Sequence, residues 1–126
     1  MLLLGIDTSG KNASAAVYDT ESEIFSAQTS VYTKMTHSQI IMPMCHELLG
    51  KIGAQLSDIG EIAVAVGPGS YTGLRIGVAA VKALCFGLNI PCCGVSTLEA
   101  AAYGNIAFDG NICTVMKARG ELVYTA

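Results

Sequence analysis

The chain has 126 residues, 52% of them apolar and 13% charged, with a net charge of −3. That composition supplies one ordinary hydrophobic core and excludes a disordered chain. Seven Lys and Arg residues against ten Asp and Glu exclude a large phosphate-binding surface of the chain's own, so contact with RNA would need another carrier.

Leu2 to Asp7 is a continuous apolar run, the pattern of a central strand. Asp7-Thr8-Ser9-Gly10 is turn chemistry, and Ala13 to Tyr18 reads as a second strand. Glu21 to Val31 reads as a third strand at an edge, because Ser and Gln interrupt its β-formers. Short polar turns between these three predict an antiparallel meander. The period then changes. Thr36 and Gln39 form a capping box, and Met35 and Ile40 occupy hydrophobic-staple positions. Ile40, Ile41, Met44, Leu48, Leu49 and Ile52 keep helical spacing, with Pro43 expected to kink the helix or loosen its first turns.

Ile62 to Val66, Thr72 to Leu88 and Ile90 to Val95 predict strand, long helix and strand, a parallel right-handed crossover. Ser96 to Glu99 caps a short Ala-rich helix, where Glu99 reads as a capping residue rather than an acid catalyst. Ile112 to Met116 and Glu121 to Thr125 read as a hairpin around Arg119-Gly120. A lone hairpin is marginal in water. We therefore expect residues 1–108 to form one domain and 109–126 the start of a truncated second one.

Met1 to Asp7 lacks a basic lead and reaches an acid too early for a signal peptide. Lys82, Asn89 and Pro91 interrupt the apolar zone from Ile76 to Val95, so no membrane span is expected. Cys45, Cys85, Cys92, Cys93 and Cys113 form no Cys-x-x-Cys pair. In apolar segments they read as small hydrophobes in a reduced, cytoplasmic compartment.

The run from Val64 to Gly77 carries the strongest chemical signal. Gly67, Gly69 and Gly73 permit conformations or approaches that a Cβ would block, and Pro68 fixes one φ. Such a turn either aims helix N–H groups at an anion or a partner's backbone, or simply joins a buried strand to a buried helix. Asp7-Thr8-Ser9 could likewise hold a hydrated metal ion or phosphate, or form an Asx turn. The candidate phosphate- or nucleotide-facing set is Asp7, Thr8, Ser9, Gly67, Gly69 and Ser70. His37 and His46 stand too far apart to share a metal from one helix, and no Ser-His-Asp or Cys-His arrangement can be assembled.

In the helix from Thr72 to Leu88 only Arg75 and Lys82 are charged, seven residues apart on one stripe. A helix apolar around most of its circumference is buried on more than one side. One sheet covers one side, so the remainder calls for another helix or another protein. The expected partner interface is His37, Ile41, Met44, Leu74, Arg75, Val78, Val81 and Lys82.

Leu4 to Ser9, His37-Ser38-Gln39 with Pro43, Gly67 to Gly77, and Gly94-Val95-Ser96-Thr97-Leu98-Glu99 occur in this order. In these motifs essentially the whole chain resembles the TsaB (YeaZ) family of bacterial tRNA-modification proteins. The resemblance implies an α/β fold of the actin/sugar-kinase/Hsp70 class (ribonuclease H-like) with two similar domains. It also implies a non-catalytic scaffold subunit in the synthesis of N6-threonylcarbamoyladenosine, in tRNAs that read codons starting with A. Implied partners are the catalytic paralogue TsaD, the ATPase TsaE and, indirectly, tRNA, with a homodimer when the protein is alone and no membrane. No cofactor of its own is implied; ATP and a metal would come through partner subunits.

The paralogue TsaD has a His-x-x-x-His metal motif after the strand matching Ile90 to Val95. Thr97 and Ala101 stand at those positions here, and neither replaces imidazole as a ligand. Where the family usually has Asp-Ala-Arg, this chain has Lys117-Ala118-Arg119. The alternatives are a nucleotide-binding ATPase or kinase-like enzyme of the same fold, and a glycoprotease-type metallopeptidase, for which the sequence offers no ligand set.

Overall fold

A computed structural model describes residues 1–32 and 36–126. Strands β1 (Leu2–Asp7), β2 (Ala13–Asp19) and β3 (Ile24–Val31) precede helix α1 (His37–Lys51). A short 3-10 turn (Leu56–Asp58) leads into β4 (Ile59–Gly67), α2 (Tyr71–Leu88), β5 (Cys92–Ser96) and α3 (Thr97–Tyr103). Strands β6 (Val115–Lys117) and β7 (Val123–Thr125) follow. The Met35 half of the expected staple lies outside the described residues.

Five strands form one mixed sheet in the order β3-β2-β1-β4-β5. The first three make the antiparallel meander, and β4 joins β1 in parallel with Leu4 opposite Ile62 and Ile6 opposite Val64. β5 extends the sheet in parallel beyond β4. It begins at Cys92 rather than Ile90. Asn89 caps α2 in the left-handed region, Ile90 N–H donates to Cys85 O at 3.1 Å, and Pro91 has no N–H to give.

Side-chain alternation sends Leu4, Ile6, Ala13, Ala15, Val17, Ile62 and Val64 to one face of the sheet, where α1 and α2 cover them. Helix α1 contributes Ile41, Met44, Cys45, Leu48 and Leu49. It runs unbroken through Pro43, and its first turn is held where Thr36 N–H donates to Gln39 Oε1 at 3.2 Å. Helix α2 turns Gly73, Gly77, Val81 and Cys85 inward. By length and composition α2 could cross a membrane; here that small-residue stripe lies against β4, β1 and α1.

The opposite face of the sheet is built of smaller groups. Gly5, Ser14, Ala16, Ala63 and Val95 line a shallow cleft of about 310 Å3 there. Helix α3 lies against β4 and β5. Strands β6 and β7 pair with each other, Met116 opposite Tyr124, in a separate two-stranded sheet.

Candidate functional site: the β1–β2 turn, the start of α2 and the adjoining cleft

The glycine-rich run is a packing device. The Gly67–Pro68 peptide is cis, and Gly67 has φ 117, a value that L side chains rarely adopt. The chain then presses against the β1–β2 turn. Ser70 N–H donates to Ser9 O at 2.7 Å, and Thr8 Oγ1 donates to Gly73 O at 2.6 Å. A Cβ on Gly69 would meet Ser9 O at 2.5 Å, one on Gly73 would overlap Thr8 O, and one on Gly77 would overlap Thr8 Oγ1. Thr8 is fully buried and Ser9 nearly so. His37 Nε2 closes the same junction at 2.8 Å from Gly10 O.

These contacts split the expected phosphate-facing set. Thr8 is buried with its hydroxyl spent on Gly73 O, and Gly69 packs on Ser9, so these two hold the junction, while Ser70 stays exposed with its N–H on Ser9 O. The N–H of Gly73 is taken by Ser70 Oγ at 3.3 Å. Asp7 is half-buried and Ser9 only 4% exposed, and the two are bonded to each other. Asp7 Oδ1 accepts from Ser9 N–H at 2.8 Å and from Ser9 Oγ at 2.5 Å, an Asx turn.

Asp7 and Ser9 line a cleft of about 460 Å3 with Lys11, Asn12, Thr97 and Ala101, and Met116 approaches from β6. Thr97 is 6% exposed, and its Oγ1 is buried without a hydrogen-bond partner. The β1–β2 turn and the start of α3 thus meet here, 90 residues apart in sequence, which local pattern could not reveal for Lys11 and Asn12. Among the described residues no group of three or more His, Cys, Asp or Glu is placed to hold a metal ion.

The expected partner surface is corrected in part. Ile41, Met44 and Val81 lie in the chain's own core, at 2%, 6% and 0% exposure. Leu74, Val78 and His37 are half-buried, and Val78 packs against that core. Arg75 and Lys82 are exposed. The outward stripe of α2 is Tyr71, Arg75, Ala79, Lys82 and Phe86, with Arg75 stacked over the Tyr71 ring at 5.5 Å and Phe86 91% exposed. Helical spacing from Arg75 could have identified this stripe.

The expectation that all five thiols are small core hydrophobes also changes. Cys45 and Cys85 are buried, whereas Cys92, Cys93 and Cys113 are exposed. The first two of these exposed thiols sit on β5, the open edge of the sheet.

Residues 24–126 match the family model described as TsaD: tRNA N6-adenosine threonylcarbamoyltransferase. The chain is 42% identical over 125 residues to the tRNA threonylcarbamoyladenosine biosynthesis protein TsaB of Bacillus subtilis (strain 168). That alignment covers 99% of this chain and 54% of the relative, so the chain spans about half the length of the curated relative it matches. Among solved structures, YeaZ from Pseudomonas aeruginosa superposes with a TM-score of 0.85 at 31% identity, over 98% of this chain and 58% of that one. Ethanolamine utilization protein EutJ from Carboxydothermus hydrogenoformans matches with a TM-score of 0.55 at 16% identity, over 100% of this chain and 52% of that one, a likeness of fold alone. The fold is a mixed α/β sheet flanked by helices, shared with YeaZ and EutJ. The chain belongs to the family that the TsaD model describes, and within it to the TsaB (YeaZ) group.

Proposed function

We propose that the protein serves the synthesis of N6-threonylcarbamoyladenosine in tRNA as a scaffold that pairs with a TsaD-type paralogue, and that it is not the transferase itself. The observation that carries this reading is the cleft beside α3. At the two positions that the resemblance matches to the paralogue's metal-binding histidines it is lined by Thr97 and Ala101. A neutral hydroxyl and a methyl cannot substitute for two imidazoles. ATP and metal would then be supplied by the partner subunits, with TsaE and tRNA engaging the assembled complex.

The partner surface on this reading is the outward stripe of α2, Tyr71, Arg75, Ala79, Lys82 and Phe86, flanked by Leu74, Val78 and His37 and by Met42 and His46 of α1. The exposed cations Arg75 and Lys82 favour an acidic rim on the partner, and Phe86 supplies an apolar anchor. The same surface would join two copies of the protein when the paralogue is absent. Residues 1–108 would be the N-terminal domain and 109–126 the opening of a second, in keeping with the separate β6–β7 sheet.

Reconstitution with purified paralogue, ATPase and tRNA tests the role. Modification that needs this protein, and is not made by it alone, supports the reading; carbamoyl transfer by this protein alone would overturn it. A second reading, nucleotide binding by the protein itself, is favoured by the cleft that Asp7, Ser9, Lys11 and Thr97 line together, with Thr97 Oγ1 buried and unpartnered. Calorimetric titration with ATP separates the two.

A further inference from the structure

The end of α2 and the start of β5 bring two thiols together. Cys85 lies on the inward face of α2 at 6% exposure, and its Sγ is 3.5 Å from the carbonyl oxygen of Pro91, the residue before Cys92. The parallel ladder places Cys92 opposite Ile62 and Cys93 opposite Ala63. Residues paired in a ladder share a face, and Ile62 points into the core under α1 and α2. Cys92 therefore stands on the Cys85 side of β5, and Cys93 stands on the other, beside Glu61.

Burial first, then the neighbouring Cys92, holds the Cys85 thiol above its ordinary range. The chain between them is pinned, since Ile90 N–H donates to Cys85 O at 3.1 Å and Asn89 N–H to Phe86 O at 3.4 Å. Cys92 itself is exposed on an edge strand, open to small oxidants.

We propose that Cys85 and Cys92 form an oxidisable pair, which a peroxide closes to an intramolecular disulfide joining the end of α2 to β5. In the first step the Cys92 thiolate attacks one peroxide oxygen and the O–O bond breaks. This gives Cys92 sulfenic acid and releases hydroxide. In the second step the Cys85 sulfur attacks the sulfenic sulfur, the S–O bond breaks, and the Cys85 proton leaves with the hydroxyl as water. The two thiols lose two electrons in total to the peroxide. A small-molecule thiol reverses the change by exchange. Cys93 takes no part, because its side chain is on the other face of the strand.

The test treats reduced protein with hydrogen peroxide, blocks free thiols with one alkylating reagent, reduces, and labels the released thiols with a second. Fragmentation mass spectrometry then assigns each label. The expected result is loss of two hydrogens per chain, with the second label at Cys85 and Cys92 together and the protein still the size of its untreated form. Cys93→Ser should leave this unchanged. Cys92→Ser, an exposed position that should not disturb folding, should leave Cys85 free for the first reagent. A disulfide between Cys92 and Cys93, a crosslink between two chains, or Cys85 still reactive after oxidation of the folded protein would each overturn the proposal.

Discussion

Gly77→Ala should destabilise the protein, although alanine is the better helix former. In an unobstructed helix interior the change gains about 0.5–1 kcal/mol. Here the new Cβ would overlap Thr8 Oγ1, while Thr8 Cβ and Cγ2 sit at ordinary contact distances of 3.4 and 3.5 Å. Relief requires Thr8 to rotate and release Gly73 O, or α2 to move off β1, an overpacking cost of about 1–3 kcal/mol. The net loss is about 1–2 kcal/mol, a fall of several degrees in Tm for a chain of this size.

Thr8→Ala removes the obstructing oxygen, so Gly77→Ala in that background should become neutral or stabilising. Thermal unfolding of the four proteins, followed by circular dichroism, gives the coupling, expected at about 1–3 kcal/mol. Gly77→Ala that stabilises the wild type, or changes that simply add, would refute the packing account of the glycine-rich turn.

Asp7→Ala should cost only about 1 kcal/mol, since it removes an exposed-side Asx turn, measured by urea denaturation. Leu48→Ala, in the fully buried core of α1, should cost about 2–5 kcal/mol in the same assay. Val78→Glu should lower the stability of the isolated chain, because Val78 packs on the core, whereas Lys82→Glu should leave it unchanged; comparing their melting temperatures checks this. Burial pushes the Cys45 thiol up to about 11. The unfolded thiol ionises near its ordinary value while the native one stays protonated, so stability should fall as pH rises from about 9 to about 11. Cys45→Ala should flatten that part of the stability–pH curve.

The elements were legible because each carries its period plainly. The alternation in Ala13 to Tyr18 and the spacing of Ile41, Met44 and Leu48 leave little choice of element. Which side of α2 faces inward was not so plain. With apolar residues nearly all round, the large ones suggest two buried sides, and Val78 and Val81 read as one surface. The deciding feature is the i, i+4 series Gly73, Gly77, Val81 and Cys85, whose small early members let the helix approach Thr8. That series could have been read from the sequence. The Thr8–Gly73 and His37–Gly10 bonds could not, because they join turns 65 and 27 residues apart. Nor could exposure of Cys92 and Cys93, which depends on β5 being the last strand of the sheet.

The central claim is that the protein works by pairing with its paralogue through the outward stripe of α2. Size-exclusion chromatography with light scattering on the mixed proteins tests it most directly. The account predicts a complex with one copy of each, lost on combining Lys82→Glu with Phe86→Asp in a variant that keeps the wild-type melting temperature. A folded double variant that still co-elutes with the paralogue would contradict it.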